Sequence, residues 1–244
     1  MRHYITHSDD VKKIIKSLDL TRHLSIASIV IGESGTGKRT LVRHLFPDLP
    51  VVNGADQSTL EQTLEQTQAL IIEQYEKVPN PENLSFEGKH IIAIANHAGN
   101  ARMLDETFAF IYTLPPLRDR PEDIALYADM YRQEAERILQ VDEPTPLDPR
   151  ALDIRENLRS LRASVYREVL LQSTDRDAIE RGMYHYFTAT FDDESNYHAL
   201  LGLFERPLLQ AGLDRYGSQL QLAEALGINR NTLRKKIHER LDNA

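Results

Sequence analysis

The chain contains no cysteine. Disulfides, thiolate metal sites and a cysteine nucleophile are therefore excluded, and a reducing compartment fits. It also lacks any apolar run near the ~18 residues that span a bilayer, so no membrane partner is expected. The polar opening, Met1 to Asp10, has no apolar centre of the kind a signal peptide carries. A cytoplasmic protein is the expectation. Cations are in deficit: the net charge is −8, with 41% hydrophobic and 27% charged residues, an ordinary folded composition over 244 residues. That length allows two or three units with a real core. The nine histidines are scattered. His3 and His7 are spaced for one helix face, but without further ligands they read as surface residues rather than a metal site.

What is present begins at residue 32. Gly32-Glu33-Ser34-Gly35-Thr36-Gly37-Lys38 has the spacing of a phosphate-binding P-loop. The run Leu24 to Ile31 before it reads as a buried strand, and Thr40-Leu-Val-Arg-His-Leu after it reads as a helix. In that context backbone N–H groups curl around phosphates, and the helix N-terminus adds partial positive charge. Lys38 would reach the terminal phosphates. The Ser or Thr that ordinarily follows the lysine and touches Mg²⁺ is replaced by Arg39, with Thr40 one place late.

At the other end the charge deficit reverses. Arg230, Arg234, Lys235, Lys236 and Arg240 face one anion, Glu239, a local net of +4 on a chain whose remainder carries −12. Ser218 can cap a helix over Gln219 to Leu226 with Leu222, Ala223 and Leu226 facing inward. Gly227 ends it and Asn229 can cap a second helix. There Leu233, Ile237 and Leu241 point inward, which turns Arg230, Asn231, Thr232, Arg234 and Lys235 outward. This pattern predicts a helix-turn-helix with a basic face suited to a major groove. Lys236 and Arg240 are expected to hold phosphates.

Two resemblances follow from these residues. Phe204-Glu-Arg-Pro-Leu-Leu-Gln with Gly227-Ile-Asn-Arg-Asn-Thr-Leu-Arg-Lys-Lys-Ile resembles the Fis-type DNA-binding domain over roughly residues 197 to 241. The P-loop together with Leu114-Pro-Pro-Leu-Arg-Asp-Arg-Pro-Glu-Asp-Ile resembles the AAA+ domain of sigma-54-dependent transcription activators, which commonly end in a Fis-type domain. The resemblance implies an α/β parallel-sheet domain with a helical lid, followed by an all-α helix-turn-helix. It further implies ATP or ADP with Mg²⁺, Asn96 at the tip of a sensor strand (Ile91-Ile-Ala-Ile-Ala-Asn) and Arg159 as the lid arginine within Glu156-Asn-Leu-Arg. The Trp-Pro-Gly that usually precedes that motif is missing.

Departures from the family carry mechanism. After Ala69-Leu-Ile-Ile the Walker B pair reads Glu73-Gln74 instead of Asp-Glu. Glu73, with Thr40, remains available to Mg²⁺, while Gln74 can hold a water but cannot take its proton, a loss of about 10²–10⁴ in hydrolysis. In the alternative register Glu73 is the base and Ile72 occupies the metal position. Only 20 residue steps separate Asn53 from Glu73, leaving no room for the sigma-contacting GAFTGA insertion, and 23 separate Glu73 from Asn96. In Asn100-Ala-Arg-Met-Leu-Asp-Glu-Thr-Phe, upstream of the Pro-Pro-Leu stretch, Arg102 is the sole arginine and falls out of register for a trans-acting finger. No input domain is expected before the first strand, where Ser8 can cap one amphipathic helix.

The organisation expected is a nucleotide-binding core over 1–117, a lid over 118–175, a linker or packing helix over 176–196 and a DNA-binding domain over 197–244. The function expected is a sequence-specific DNA-binding transcription regulator whose reduced AAA+ domain binds nucleotide as a switch or assembly module, with hydrolysis weak or absent. The alternatives are a working sigma-54 activator ATPase and a nucleoid-type DNA-bending protein with a vestigial P-loop domain. Double-stranded DNA and a homodimer through the Fis-type segment are the implied partners, with a higher oligomer and RNA polymerase left open.

Overall fold

The computed structural model describes residues 4–192 and 196–242. His3, Asp193 and Glu194, and the last two residues of the 197–244 segment, lie outside them. The chain divides into two compact units, Met1–Ser173 and Thr174–Ala244, each with its own core.

The first unit is built on a five-stranded, all-parallel sheet of β1 (Ala27–Ile31), β2 (Val51–Asn53), β3 (Ala69–Glu73), β4 (His90–Ala95) and β5 (Phe110–Thr113), in the order β2-β3-β4-β1-β5. The three central strands are apolar on both faces because helices and loops cover both, as parallel sheets require. Period-two alternation sorts them: Ile29, Leu70, Ile72, Ile91 and Ala93 pack into one core, while Val30, Ile71 and Ile92 pack into another with α1 (Asp9–Leu20) and α2 (Lys38–Leu45). Between β2 and β3 runs α3 (Gln57–Gln66), capped by Asp56. Between β4 and β5 runs α4 (Ala101–Thr107). No helix among the described residues is long and apolar enough to cross a membrane.

Two further helices, α5 (Pro121–Leu139) and α6 (Leu158–Gln172), pack on each other around Leu117, Tyr127, Tyr131, Leu161 and Val165. Pro121 opens α5 at the one turn of a helix where a missing N–H costs nothing.

Ser8 does stand at the N-cap of α1, but its hydroxyl makes no capping bond. Tertiary structure has overridden the local rule. The N–H groups of His7 and Ser8 donate to Asp123 on α5, at 2.6 and 3.3 Å, and the Thr6 hydroxyl donates there too, at 2.7 Å. Asp123 is fully buried beside the equally buried Arg120, 3.3 Å away. Breaking such a pair costs about 3–5 kcal/mol because the surviving charge is stranded.

The second unit is helical: α7 (Arg176–Thr190), α8 (Tyr197–Tyr216), α9 (Gln219–Leu226) and α10 (Arg230–Ile237), which runs on into a wider turn over His238–Asp242. The segment read as linker or packing helix is largely α7, which buries none of its residues. Ser218 and Asn229 cap α9 and α10 through their side chains, to the N–H groups of Leu220 and Asn231. Gly227 ends α9 at φ 64°, a left-handed turn. Leu222, Ala223, Leu233 and Ile237 are buried together with Leu209 of α8, as the spacing predicts.

Candidate functional sites

In the first unit the sheet register brings three chain segments together. Ile31 lies beside Ala95, and Glu73 beside Ile94, so the P-loop, the Walker B position and Asn96 meet at the carboxyl edge of β1, β3 and β4. Ligands of open parallel sheets bind at this edge. A cleft of about 830 Å³ opens there, lined by Ser34, Gly35, Gly37 to Thr40, Glu73, Gln74, Glu76, Asn96 and Arg159. A second cavity of about 560 Å³ shares Gly37, Thr40, Tyr131 and Leu158 with it and adds Tyr4, Ile5, Tyr127 and Met130. Aromatic and aliphatic walls of this kind suit a flat heterocycle, with the polar cleft beside them suiting phosphates.

The P-loop is held open by its surroundings. Gly35 sits at φ 79°, and a Cβ there would stand 2.5 Å from the carbonyl oxygen of Glu156. Only glycine fits. Lys38 is buried and folds back on the loop, donating to the carbonyls of Gly32 (2.5 Å) and Glu33 (2.7 Å) and to Asn96 Oδ1 (3.2 Å). Burial brings its pKa down to about 8, opposed by the carboxylates of Glu76 and Glu33. Asn96 in turn donates to Glu76 Oε1 at 2.7 Å, and the other Glu76 oxygen is buried without a hydrogen-bond partner. The buried lysine, tied to carbonyls of its own loop, is the group that phosphate oxygens would engage.

Residues that the sequence reading passed over hold this loop to the lid. Asn157, buried at φ 57°, donates to Glu33 Oε2 (3.2 Å) and the carbonyl of Ser34 (3.0 Å) and accepts from the N–H of Leu117 (2.7 Å). Arg118 grips Glu33 with two bonds, at 2.9 and 2.6 Å. That grip, with Asn157, keeps the Glu33 carboxyl at a pKa of about 2. Arg120 reaches the carbonyl of Thr36 at 2.6 Å and the Tyr4 hydroxyl at 3.0 Å. The one available signal was position: Asn157 immediately precedes the Leu-Arg of the lid motif, and Arg118 and Arg120 lie inside the quoted Pro-Pro-Leu stretch. Arg159 lines the cleft from the lid, 79% exposed, with a loose 3.7 Å approach to Glu156. Arg102 stays out, pairing locally with Glu106 at 2.9 Å.

The Walker B position is occupied by an ion-pair cluster. Glu73 is buried, and Arg39 reaches its Oε2 at 2.5 Å while Arg43 holds Oε1 at 2.9 Å. Gln74 follows at φ 56°, on the cleft wall. Thr40 is half-buried on α2. Mg²⁺ bridged by Glu73 and Thr40, as expected from the sequence, is not what this donor set offers: both carboxylate oxygens are already engaged by guanidinium groups. Among the described residues no cluster of three or more His, Asp or Glu could hold a metal ion.

In the second unit Arg230, Asn231, Thr232, Arg234 and Lys235 are exposed along α10. Among the described residues Arg230 and Arg234 make no ion pair, and Lys235 only approaches Glu239 at 3.7 Å. Lys236 and Arg240 differ from expectation. Both bind Glu205, which is buried on α8, Arg240 at 2.8 Å. They fasten α10 and the turn after it to α8, where free cations were expected. Their spacing alone gave no sign of this, since the partner lies 31 and 35 residues upstream.

Comparison with known proteins bears on both units. Residues 200–239 match the model of the bacterial regulatory protein, Fis family. A crystal structure of NtrX from Brucella abortus in complex with ADP superposes with a TM-score of 0.55 at 18% identity, covering 97% of this chain and 69% of that one. The same protein in complex with ATP gives 0.54 at 17%, over 99% and 70%. The Thermotoga maritima RuvB Holliday junction branch migration motor gives 0.51 at 16%, over 96% of this chain and 86% of that one. The first unit has the AAA+ fold. Its sheet and lid carry the P-loop, and a Fis-type helical region follows. In sequence, the DNA-binding transcriptional regulator NtrC of Rhizobium meliloti (strain 1021) is 32% identical over 167 residues. That match covers 52% of this chain and 34% of the relative, so the chain spans about a third of the length of the regulators it matches. The AAA+ unit thus carries the P-loop cleft, and the Fis-type unit carries the exposed cations.

Proposed function

We propose that the protein is a cytoplasmic, sequence-selective DNA-binding transcription regulator whose AAA+ unit binds ATP or ADP as a switch or assembly module. The observation that carries this reading is the union, on one chain, of a P-loop cleft with a capped helix-turn-helix whose Arg230, Arg234 and Lys235 are exposed. Similarity to regulators named NtrC and to NtrX solved with ADP and ATP supports it.

In the bound state the backbone of Gly35 to Lys38 and the N-terminus of α2 would hold phosphates, and Lys38 would exchange its carbonyl partners for phosphate oxygens. The base would lie against Tyr4, Ile5 and Leu158. The tie from the P-loop through Asn157, Arg118 and Arg120 to the lid gives nucleotide a route to the lid's position. Hydrolysis is slow in this reading, because Gln74 cannot accept a proton from water and Glu73 is neutralised. On DNA, Arg230, Asn231, Arg234 and Lys235 would meet the major groove, with Thr232 beside them, and affinity would fall steeply with salt. The apolar side chains that α7 and α8 expose, Tyr184, Tyr186, Leu203, Phe204 and Leu208 among them, favour a homodimer through these helices.

The test is fluorescence anisotropy of the whole chain against a genomic fragment library, with and without ATP, followed by phosphate release. Selective, salt-sensitive binding with turnover far below the median enzyme rate of ~10 s⁻¹ is expected. Binding to no duplex overturns the reading. Rapid hydrolysis would instead favour a working activator ATPase, and DNA bending without nucleotide binding would favour an architectural protein.

A further inference from the structure

P-loop proteins ordinarily neutralise the terminal phosphates with Mg²⁺, held by the hydroxyl after the lysine and by the Walker B carboxylate. Here neither position is free to do so. Arg39 stands where the hydroxyl belongs, and a guanidinium has five donors, no acceptor and a permanent charge. It cannot coordinate a cation. Glu73, the Walker B carboxylate, accepts from Arg39 on one oxygen and from Arg43 on the other, at 2.5 and 2.9 Å. Two guanidinium groups against one carboxylate leave this corner of the cleft net positive, which repels a divalent cation. Of the carboxylate oxygens of Glu33 and Glu76, near the P-loop, one oxygen of Glu76 is buried without a partner and the rest are engaged. Glu33 is gripped by Arg118, and Glu76 accepts from Asn96 within the field of Lys38.

The two arginines are not equivalent. Arg39 lines the nucleotide cleft as well as a neighbouring depression, whereas Arg43, one turn further along α2, lines only that depression, with Phe46 and Val51. Arg43 can therefore keep Glu73 paired while Arg39 turns toward the phosphates. Its side chain is 59% exposed, so the turn meets little packing.

We propose that Arg39 takes the place of the divalent cation, so that the chain binds the phosphates of a nucleoside di- or triphosphate without Mg²⁺. The inference rests on the nucleotide-binding reading above. A planar fork of N–H donors matches phosphate oxygens two at a time, which a lone ammonium such as Lys38 does not. It also explains the pairing of losses at Glu73 and Gln74. A site that holds nucleotide through arginine has no metal to polarise a leaving phosphate and no base to use it.

The experiment is calorimetric titration of the full chain with ATP, once with magnesium chloride and once with excess EDTA. Wild-type affinities within about twofold of each other are expected, and Arg39→Ser should lose at least about tenfold in EDTA while Arg39→Lys loses less. A wild type that weakens about tenfold or more in EDTA overturns the inference and leaves nucleotide binding standing. So does an Arg39→Ser chain that binds as well as wild type in EDTA. Absence of binding in both buffers overturns the nucleotide reading itself, and this inference with it. If Arg39→Ser melts with the loss of folded circular dichroism, the wild-type comparison between the two buffers decides alone.

Discussion

The P-loop cleft and the recognition helix are both rich in cations, yet they hold them in opposite states. Around the P-loop Lys38, Arg39, Arg43, Arg118 and Arg120 are all bound to oxygens of the chain itself. Along α10, Arg230 and Arg234 make no ion pair among the described residues, and Lys235 has only a distant one. The first set is preorganised, and a ligand must outcompete bonds already made. The second is solvated, and a polyanion gains the release of its counterions. Lys236 and Arg240 cross the line between the two: they belong to the basic block by sequence and to the tied set by structure. Counting charges does not tell a binding face from a brace. Finding each charge's partner does.

The largest test of this contrast asks whether the two units stand apart. Leu233→Ala removes a fully buried anchor of the helix-turn-helix and should destabilise that unit by about 2–5 kcal/mol. DNA binding should vanish while ATP titration is unchanged. A matching loss of nucleotide affinity would show that the units are energetically one. Next in size is Lys38→Ala, which removes the cation facing the phosphates and should weaken ATP binding by about 2–3 kcal/mol in calorimetry, with DNA affinity at fixed nucleotide occupancy untouched.

Arg234→Ala set beside Arg240→Ala addresses the contrast within α10. Arg234→Ala should cost about 1–2 kcal/mol in duplex affinity with no change in melting temperature. Arg240→Ala should do the reverse, lowering the melting temperature because Glu205 keeps its burial and loses a partner. Equal losses of DNA affinity without a stability change would put Arg240 on the binding face after all.

The smallest effect concerns acid. Glu33 titrates near 2 instead of its ordinary 4.5 because Arg118 and Asn157 stabilise its charged form. A depressed carboxylate contributes stability in full above the ordinary value, and that contribution is lost as pH falls toward the folded value. The P-loop clasp should accordingly hold from neutral pH down to about 4.5 and weaken only below it. Both groups are largely solvent-facing, so the change should register in the Glu33 carboxyl chemical shift and hardly at all in melting temperature. A carboxyl shift titrating at its ordinary pH would show that the clasp is not populated in solution.

Local rules made much of the molecule readable from its residues. The P-loop strand, the sensor strand, Ser218 and Asn229 as caps, Gly227 as a stop and the inward set Leu222, Leu233 and Ile237 all follow from periodicity and from backbone groups that need a partner within four residues. Ser8 shows where such rules stop: its hydroxyl makes no capping bond, and its N–H donates to Asp123, more than a hundred residues away in the chain. What tertiary structure alone decided is which charges are neutralised. Glu73 is paired with α2, Lys236 and Arg240 with α8, and Glu33 with the start of the lid. Nothing in the order of residues announces these partners, because an ion pair needs proximity in space, and only the packing of sheet, lid and helices creates it.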